Sequence, residues 1–537
     1  MSDLITISVD GRDVQVPARI PLIEALRQYA KVDTPAFCYH QDLEVAGNCR
    51  ICMVETEGPR GWALGISCHM QTAPGLKVRT QVSSPTVVAA RKGVMEFLLV
   101  NHPLDCPICD KAGECTLQEH YMGQDRQESR LEDAVGKVYK GAPDFRFTDV
   151  KGVERGGKHI DLGETVVLDQ ERCIACTRCV RFMRDVAGEE QLGLAGRSDH
   201  AYITTFPGQP LKHGYDLNVV DICPVGALTA KHFRFQQRVW MLKSVDAIDP
   251  SDALGANLTL DYTQDRVWRL VPRRNDAVNK SWIANRTRLL YQELNRNRLS
   301  DGKVAGVDVP LADATASMRA ALKNGKRIAL VASGHQTLED NAALLALADA
   351  LGGKATVFSG SWLPVGKPDG IALSGDPVAN RRGLAVLGLS DNLDDLLARA
   401  SEFDVLLTVG HDLWAADPAK AKALETIPVR IALAAWNTAT VQAATIAVGI
   451  RAWAEVRGVL INCQDRVQLT QACPVLPNPD LEPAWKVLAD AADLRWGGEV
   501  DAWTSAQDRA PRLAGLTYRS IGRTGVVLAA VSVGAGA

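Results

Sequence analysis

The chain has no long hydrophobic run and no excess of charge of either sign. No apolar stretch reaches the roughly 18–20 residues of a spanning helix. The closest, Gly525 to Ala537, is short and rich in Gly and Ala, and it reads as a buried last strand. With 60 basic against 63 acidic residues the net charge is −3, which leaves no electrostatic footprint for nucleic acid and no charged tail. The opening residues, Met1-Ser2-Asp3-Leu4-Ile5-Thr6, lack the basic start and apolar run of a secretory signal, so the protein is expected to stay in the compartment where it is made. A strand-to-helix G-x-G-x-x-G fingerprint, a P-loop and a G-x-S-x-G elbow are also missing, which argues against a free-standing nucleotide enzyme or hydrolase. There is no repeat of fixed period. Cysteine is scarce in the second half, where only Cys463 and Cys473 occur; with no ligand-like company, they read as incidental or buried thiols.

At 537 residues the chain is too long for one core, and three or more domains are expected. Its 46% hydrophobic and 23% charged content is that of an ordinary globular protein. Of its 13 cysteines, 11 lie between Cys38 and Cys223. An odd number of thiols cannot all pair, and dense, regularly spaced thiols in a reducing compartment point to zinc or iron–sulfur.

Residues 4–16 alternate apolar and polar around Asp10-Gly11, the pattern of a hairpin. A helical segment Leu22–Ala30 follows, opened by Pro21, and then a Cys-bearing loop. That order is expected of a small ferredoxin-type sheet domain ending near Ser84. Thr86–Leu99 turns helical and leads to the next cysteines. Gly152, Gly156 and Gly157 mark a surface loop. Beyond about residue 300, apolar runs (Arg327–Ala332, Ala355–Phe358, Val405–Val409, Val429–Ala435) alternate with helical stretches (Leu338–Leu351, Leu393–Ala400, Ala484–Leu494). Such alternation predicts a mostly parallel sheet with helices on both faces.

Three constellations carry the chemistry. The first is Cys38-x10-Cys49-x2-Cys52-x15-Cys68, three ligands on a loop and one returning later, as in a plant-type 2Fe–2S site, although that family spaces the first pair by four. Ala46, Gly47 and Asn48 before Cys49 would let backbone N–H groups approach cluster sulfurs. A four-cysteine zinc site tolerates the same spacing. The second is His102-x3-Cys106-x2-Cys109-x5-Cys115, which suits either a zinc site of three cysteines and a histidine or a tetranuclear cluster with one imidazole ligand. The third is Cys173-x2-Cys176-x2-Cys179 with a distant Cys223-Pro224. It is half of a two-cluster ferredoxin pattern: the local fourth position is Met183, and His213, Asp216 and Val219 stand where partners of Cys223 would be. One 4Fe–4S centre held by Cys173, Cys176, Cys179 and Cys223 is expected. Arg178, Arg181 and Arg184 either lie near that anionic cluster or form a solvated helix face.

In this order the residues resemble the large iron–sulfur subunit of proton-pumping NADH:quinone oxidoreductase, respiratory complex I, in its bacterial form. The resemblance runs through Gly47-Asn48-Cys49-Arg50-Ile51-Cys52-Met53-Val54-Glu55, His102-Pro103-Leu104-Asp105-Cys106-Pro107-Ile108-Cys109 and Cys173-Ile174-Ala175-Cys176-Thr177-Arg178-Cys179-Val180-Arg181. It is specific over roughly residues 1–240 and looser beyond, where Trp282-Ile283 and Asn462 through Gln468 look like further landmarks. It implies a multidomain α+β and α/β fold: a 2Fe–2S ferredoxin-like β-grasp domain (1–84), a 4Fe–4S domain with one His and three Cys ligands (85–140) and a 4Fe–4S ferredoxin-like domain (141–240). A small linking domain (241–300) would resemble the iron–sulfur domain of molybdopterin oxidoreductases, and a truncated molybdopterin-oxidoreductase-like α/β domain without its cofactor would complete the chain (301–537).

The resemblance also implies a role. The chain would pass single electrons through one 2Fe–2S and two 4Fe–4S clusters, from a flavin- and NADH-binding partner toward quinone. The order implied is the Cys38 set, the Cys173 set and then the His102 set. It would sit among the peripheral-arm subunits on the cytoplasmic face of a bacterial inner membrane, without a span of its own and without a substrate-binding catalytic site. Some relatives carry one more 4Fe–4S site, but its ligand positions here hold Asp249, Asp252, Ala256 and Ala284, so that cluster is expected to be absent. Two other readings use the same residues: a diaphorase-type subunit of an NAD-coupled hydrogenase or formate dehydrogenase, and a zinc-stabilised interaction scaffold.

Overall fold

A computed structural model describes residues 3–123, 158–197 and 201–528. The chain divides into two compact units, Met1–Met241 and Leu242–Ala537, one residue beyond the expected end of the cysteine-bearing half. The glycine-rich loop at 152–157 and most of the Gly/Ala-rich C-terminal run lie outside the described residues.

The first unit opens with the expected hairpin, β1 (Leu4–Val9) against β2 (Arg12–Pro17). Asp10 and Gly11 turn the chain at φ 51° and 79°, the left-handed pair that matches the twist of a two-residue hairpin. Ile7, Val9 and Val16 point inward and are fully buried. The helical segment begins as α1 (Leu22–Glu24) and continues as a π-helix over Ala25–Tyr29. Strands β3 (Met53–Gly58), β4 (Gly61–Ile66) and β5 (Lys77–Arg79) complete a five-stranded sheet in the order β2-β1-β5-β3-β4, in which β1 and β5 run parallel and the other neighbours antiparallel.

Helix α2 (Pro85–Asn101) starts where the sequence predicts. Ser84 caps it by accepting from the Val87 N–H, and Pro85 occupies the first turn. Arg91, buried on this helix, donates to the Met53 carbonyl at 2.8 and 3.1 Å and to Gln81 at 2.6 Å. The helix is thereby fixed to the strand that follows Cys52.

After α3 (Thr116–Gly123) come β6 (Ile160–Asp161), β7 (Val166–Leu168), α4 (Arg178–Arg181), the two-stranded β8 (Leu192–Ala195) and β9 (Tyr202–Thr205), α5 (Asn218–Ile222) and β10 (Leu228–Ala230). β10, β7 and β6 form a small antiparallel sheet that carries the third cysteine set at its edge.

The second unit begins with a meander, β11 (Lys243–Ile248), β12 (Asn257–Tyr262) and β13 (Val267–Pro272), then α6 (Asn285–Leu289) and α7 (Tyr291–Leu294). Next come β14 (Gly302–Val304), β15 (Val307–Val309), α8 (Leu311–Asn324), β16 (Ile328–Ala332), α9 (Leu338–Leu351), β17 (Ala355–Ser359), β18 (Val405–Val409), β19 (Val429–Ala434) and β20 (Ile446–Gly449). Their seven-stranded sheet has the order β15-β14-β20-β19-β18-β16-β17, parallel from β20 to β17 and antiparallel at the β14–β15 edge. Both faces are covered: Ile328, Leu330 and Ala332 enter one core, and Ala329 and Val331 the other. Continuous apolar strands are what a two-sided parallel sheet demands.

A last sheet holds β21 (Gly458–Ile461), β22 (Arg466–Thr470) and β23 (Val526–Val527). The expected buried final strand is, within the described residues, a two-residue edge strand with Val527 exposed. The loop between β21 and β22 explains the Asn462–Gln468 landmark. Asn462 donates to the Leu254 carbonyl at 2.9 Å and Gln468 to the Gly255 carbonyl at 3.0 Å. Gly255 has φ +62°, and a Cβ there would stand 2.6 Å from the Gln468 side chain. These landmarks join the meander to the C-terminal hairpin.

Candidate metal centres

The first set gathers between the sheet and α1. Cys38, Cys52 and Cys68 are buried and Cys49 is half-buried. Gly47 and Arg50, at φ 63° and 60°, curl the loop around Cys49, and the Cys38 N–H reaches the Cys49 sulfur at 3.4 Å. Hydrogen bonds from Cys49 and Cys68 hold the Cys38 thiol below its ordinary range. One from Cys68 draws Cys52 down as well. All four expected residues of this set therefore come together.

The third set lines a single small cavity, walled by Cys173, Cys176, Cys179 and Cys223 with Arg178 and apolar side chains such as Leu168 and Ile203. Ala175 and Thr177, at φ 49° and 60°, bracket Cys176, and the Ala175 N–H donates to the Cys173 sulfur at 3.4 Å. Burial pushes the Cys173 thiol up to about 12 and Cys176 up to about 11. A thiolate there needs a cation beside it, which a metal cluster supplies.

In the second set His102 stands at the C-cap of α2 and is buried. Burial lowers its pKa to about 4, so the ring is neutral at neutral pH. Its Nδ1 has no partner among the described residues. A neutral imidazole with one unengaged buried nitrogen fits a metal ligand. Cys109 and Cys115 are buried and Cys106 half-buried. The three thiols lie close enough to repel one another's charged forms, and burial above all pushes Cys115 up to about 11.

Gly226 leaves the room this set requires: a Cβ there would lie 2.3 Å from the Cys109 sulfur and 3.2 Å from the Lys111 Cβ. Nothing in the sequence marks this glycine, whose backbone is not left-handed. Among the described residues no three His, Cys, Asp or Glu side chains close on one point tightly enough for a single metal ion.

The third set is tied to both others. Arg181 donates from Nη2 to the Cys38 carbonyl at 2.5 Å and the Cys176 carbonyl at 3.3 Å, and from Nη1 to the Glu44 carbonyl. Arg178 donates to the carbonyls of Tyr39 at 2.6 Å, Ala36 at 3.2 Å and Ile222 at 3.1 Å. Toward the second set, Arg172 pairs with Asp105 at 2.9 Å and Asp169 at 3.0 Å. The Pro224 carbonyl accepts from the Thr116 N–H at 3.1 Å and the Cys115 sulfur at 3.6 Å. The edge of Phe37 on His120, at 5.8 Å, also joins the flanks of the first and second sets. Of the three arginines read as a possible solvated face, only Arg184 is one: it is exposed and paired with Asp185 at 2.6 Å.

At the positions of the extra cluster, Asp249 and Asp252 are fully buried and engaged. Asp249 accepts from Thr287 at 2.6 Å and Ser251 at 2.7 Å. Asp252 accepts from Ser374 at 2.7 Å and Arg286 at 3.0 Å. Both carboxylates act as hydrogen-bond acceptors, and residues 242–292 contain no cysteine. Cys473 is buried and Cys463 exposed.

Twelve sulfur and imidazole donors in three sets, on loops held by small sheets, are of the types that multi-cluster iron–sulfur proteins use. Family models match four stretches: a 2Fe-2S iron-sulfur cluster binding domain over residues 2–83, the NADH-ubiquinone oxidoreductase-G iron-sulfur binding region over 91–130, the ferredoxin-like domain of NADH-quinone oxidoreductase subunit 3 over 163–229, and an NDSU1/NuoG-like 4Fe-4S domain over 242–292.

Three of these models are named for the NADH:quinone (or ubiquinone) oxidoreductase, and all four fall within residues 2–292. The chain is 44% identical over 309 residues to NADH dehydrogenase (ubiquinone) iron-sulfur protein 1 of Solanum tuberosum, covering 57% of this chain and 38% of that protein. It is 41% identical over 299 residues to the NADH-ubiquinone oxidoreductase 75 kDa subunit of Reclinomonas americana, covering 56% and 40%. The matches therefore span about two-fifths of the length of these relatives. A chain of an NAD+-reducing NiFe hydrogenase aligns at 26% identity over 44% of this chain and 91% of that chain, with a TM-score of 0.35, too low to compare folds. Among the described residues no helix is long and apolar enough to cross a membrane.

Proposed function

We propose that the chain is an electron-transfer subunit of NADH:quinone oxidoreductase, passing single electrons from a flavin-bearing partner toward quinone. The observation that carries this reading is the gathering of Cys173, Cys176, Cys179 and the distant Cys223 around one cavity, with the other two donor sets tied to it. The ligands are Cys38, Cys49, Cys52 and Cys68 for a 2Fe–2S cluster, and His102, Cys106, Cys109 and Cys115 for one 4Fe–4S cluster. Cys173, Cys176, Cys179 and Cys223 hold the other. Bound there, each cluster supplies one-electron redox chemistry. The chain's own task is to space these sets, exclude water and tune their surroundings. The hydrogen-bond ties from the third set to each neighbour favour an order from the Cys38 set through the Cys173 set to the His102 set.

The division into domains at 84, 140, 240 and 300 belongs to the same reading. So does the identity of the second unit as a molybdopterin-oxidoreductase-like scaffold without its cofactor and linking cluster. The partners are the flavin/NADH subunit and other peripheral-arm subunits, at the cytoplasmic face of a bacterial inner membrane. Anaerobic purification with metal and sulfide analysis tests the reading. About ten irons and ten sulfides per chain are expected from 2, 4 and 4; zinc in their place would sink it and leave the interaction scaffold.

A further inference from the structure

Arg178 is braced between two of the donor sets. Its guanidinium bridges two ligand loops: Nη2 donates to the carbonyls of Ala36 and Tyr39, on either side of Phe37-Cys38, and Nη1 to that of Ile222, next to Cys223. Its side chain lines the cavity of the Cys173 set. Its Nε–H is shielded from water and has no acceptor among the described residues. Thiols of both sets act on its charge, Cys176 and Cys223 from one and Cys38 and Cys49 from the other. Arg181 completes the clamp by joining the carbonyls of Cys38 and Cys176. A desolvated cation with a leftover donor is costly unless anions lie beside it, and thiolate-ligated clusters are anions.

We propose that Arg178 is a shared counter-ion of two redox centres, a positioning residue that fixes the Cys38 and Cys173 sets in one relation and raises the midpoint potential of both. The inference rests on the iron–sulfur reading above. A positive charge favours the reduced, more negative form of each centre. Because the guanidinium is braced on both loops, it moves the two midpoints in the same direction and leaves the driving force between them little changed. The His102 set, whose neighbouring cation is Arg172, serves as the internal reference.

The test is a redox titration of the full chain, loaded with clusters and followed by paramagnetic resonance, comparing wild type with Arg178→Gln. Removing the charge should change each of two one-electron equilibria by about tenfold, ~59 mV downward, and leave the third midpoint in place. Loaded clusters with all midpoints unmoved, or with only one moved, would overturn the inference while leaving the iron–sulfur reading intact; absence of iron in wild type would overturn that reading instead. If Arg178→Gln does not load, the decision passes to wild-type protein grown with arginine labelled with 15N in its guanidinium group. Hyperfine coupling of an arginine nitrogen to the reduced Cys173 centre is then expected, and its absence overturns the inference.

Discussion

Replacing Gly226 by alanine tests whether the second donor set is a metal centre at all. The added Cβ would stand 2.3 Å from the Cys109 sulfur, whereas non-bonded heavy atoms settle at about 3.5–4.0 Å. Something must therefore retreat by more than about 1 Å, and Lys111, whose Cβ would be 3.2 Å away, closes the other side. Metal–ligand bonds tolerate only about 0.2 Å, so the Cys109 ligand is lost even if the fold absorbs overpacking at a typical cost of about 1–3 kcal/mol. Gly226 does not have a left-handed backbone, so the effect is spatial. Purified Gly226→Ala chain should hold about six irons instead of about ten and lose one 4Fe–4S signal, while the 2Fe–2S spectrum persists. Gly214→Ala is the control, because nothing lies within 4 Å of a Cβ there. A Gly226→Ala chain with full iron and unaltered spectra would refute the assignment of Cys109.

Three further outcomes follow from the same structure. His102→Cys replaces a neutral ligand by an anionic one and should lower one tetranuclear midpoint by redox titration, since His-for-Cys exchange raises potentials in Rieske centres; a raised or unchanged value contradicts the ligand set. Cutting the chain after Met241, where the first unit ends, should leave all the iron with the first fragment, and stoichiometric iron or molybdenum in the second would show a working cofactor domain there. Glu339, buried and accepting from the Val459 N–H and Tyr518 O–H, is pushed by burial up to about 7. Its stability contribution is therefore full below its unfolded value near 4.5 and is lost as pH rises to 7, at most about 3 kcal/mol; Glu339→Gln should flatten that slope in tryptophan-monitored denaturation between pH 5 and 7.5.

Regular elements buried on two faces were the most legible part of the sequence. Val405–Val409 and Leu338–Leu351 fall where the pattern places them, the first because a parallel strand covered on both faces must be apolar throughout. Thr337, which caps the second by accepting from the Asp340 N–H, stands immediately before it. The donor sets were legible through their spacing and, for the distant Cys223, through the Cys-Pro half of a two-cluster ferredoxin pattern. What the sequence hid was support by groups whose type suggests the surface. Arg178 and Arg181 look like a charged helix face until their carbonyl partners are known. Gly226 carries no turn signature because its role is to leave room for a sulfur. Asp249 and Asp252 read as vacated ligand positions, yet they are hydrogen-bond hubs of the meander.

The most direct test of the central claim is to count the electrons the full chain accepts. Anaerobic reductive titration, followed by paramagnetic resonance, should show about three electrons per chain, one for each centre. One 2Fe–2S and two distinct 4Fe–4S spectra should appear. A chain that takes up no electrons, or whose reduction accounts for a single cluster, would contradict it.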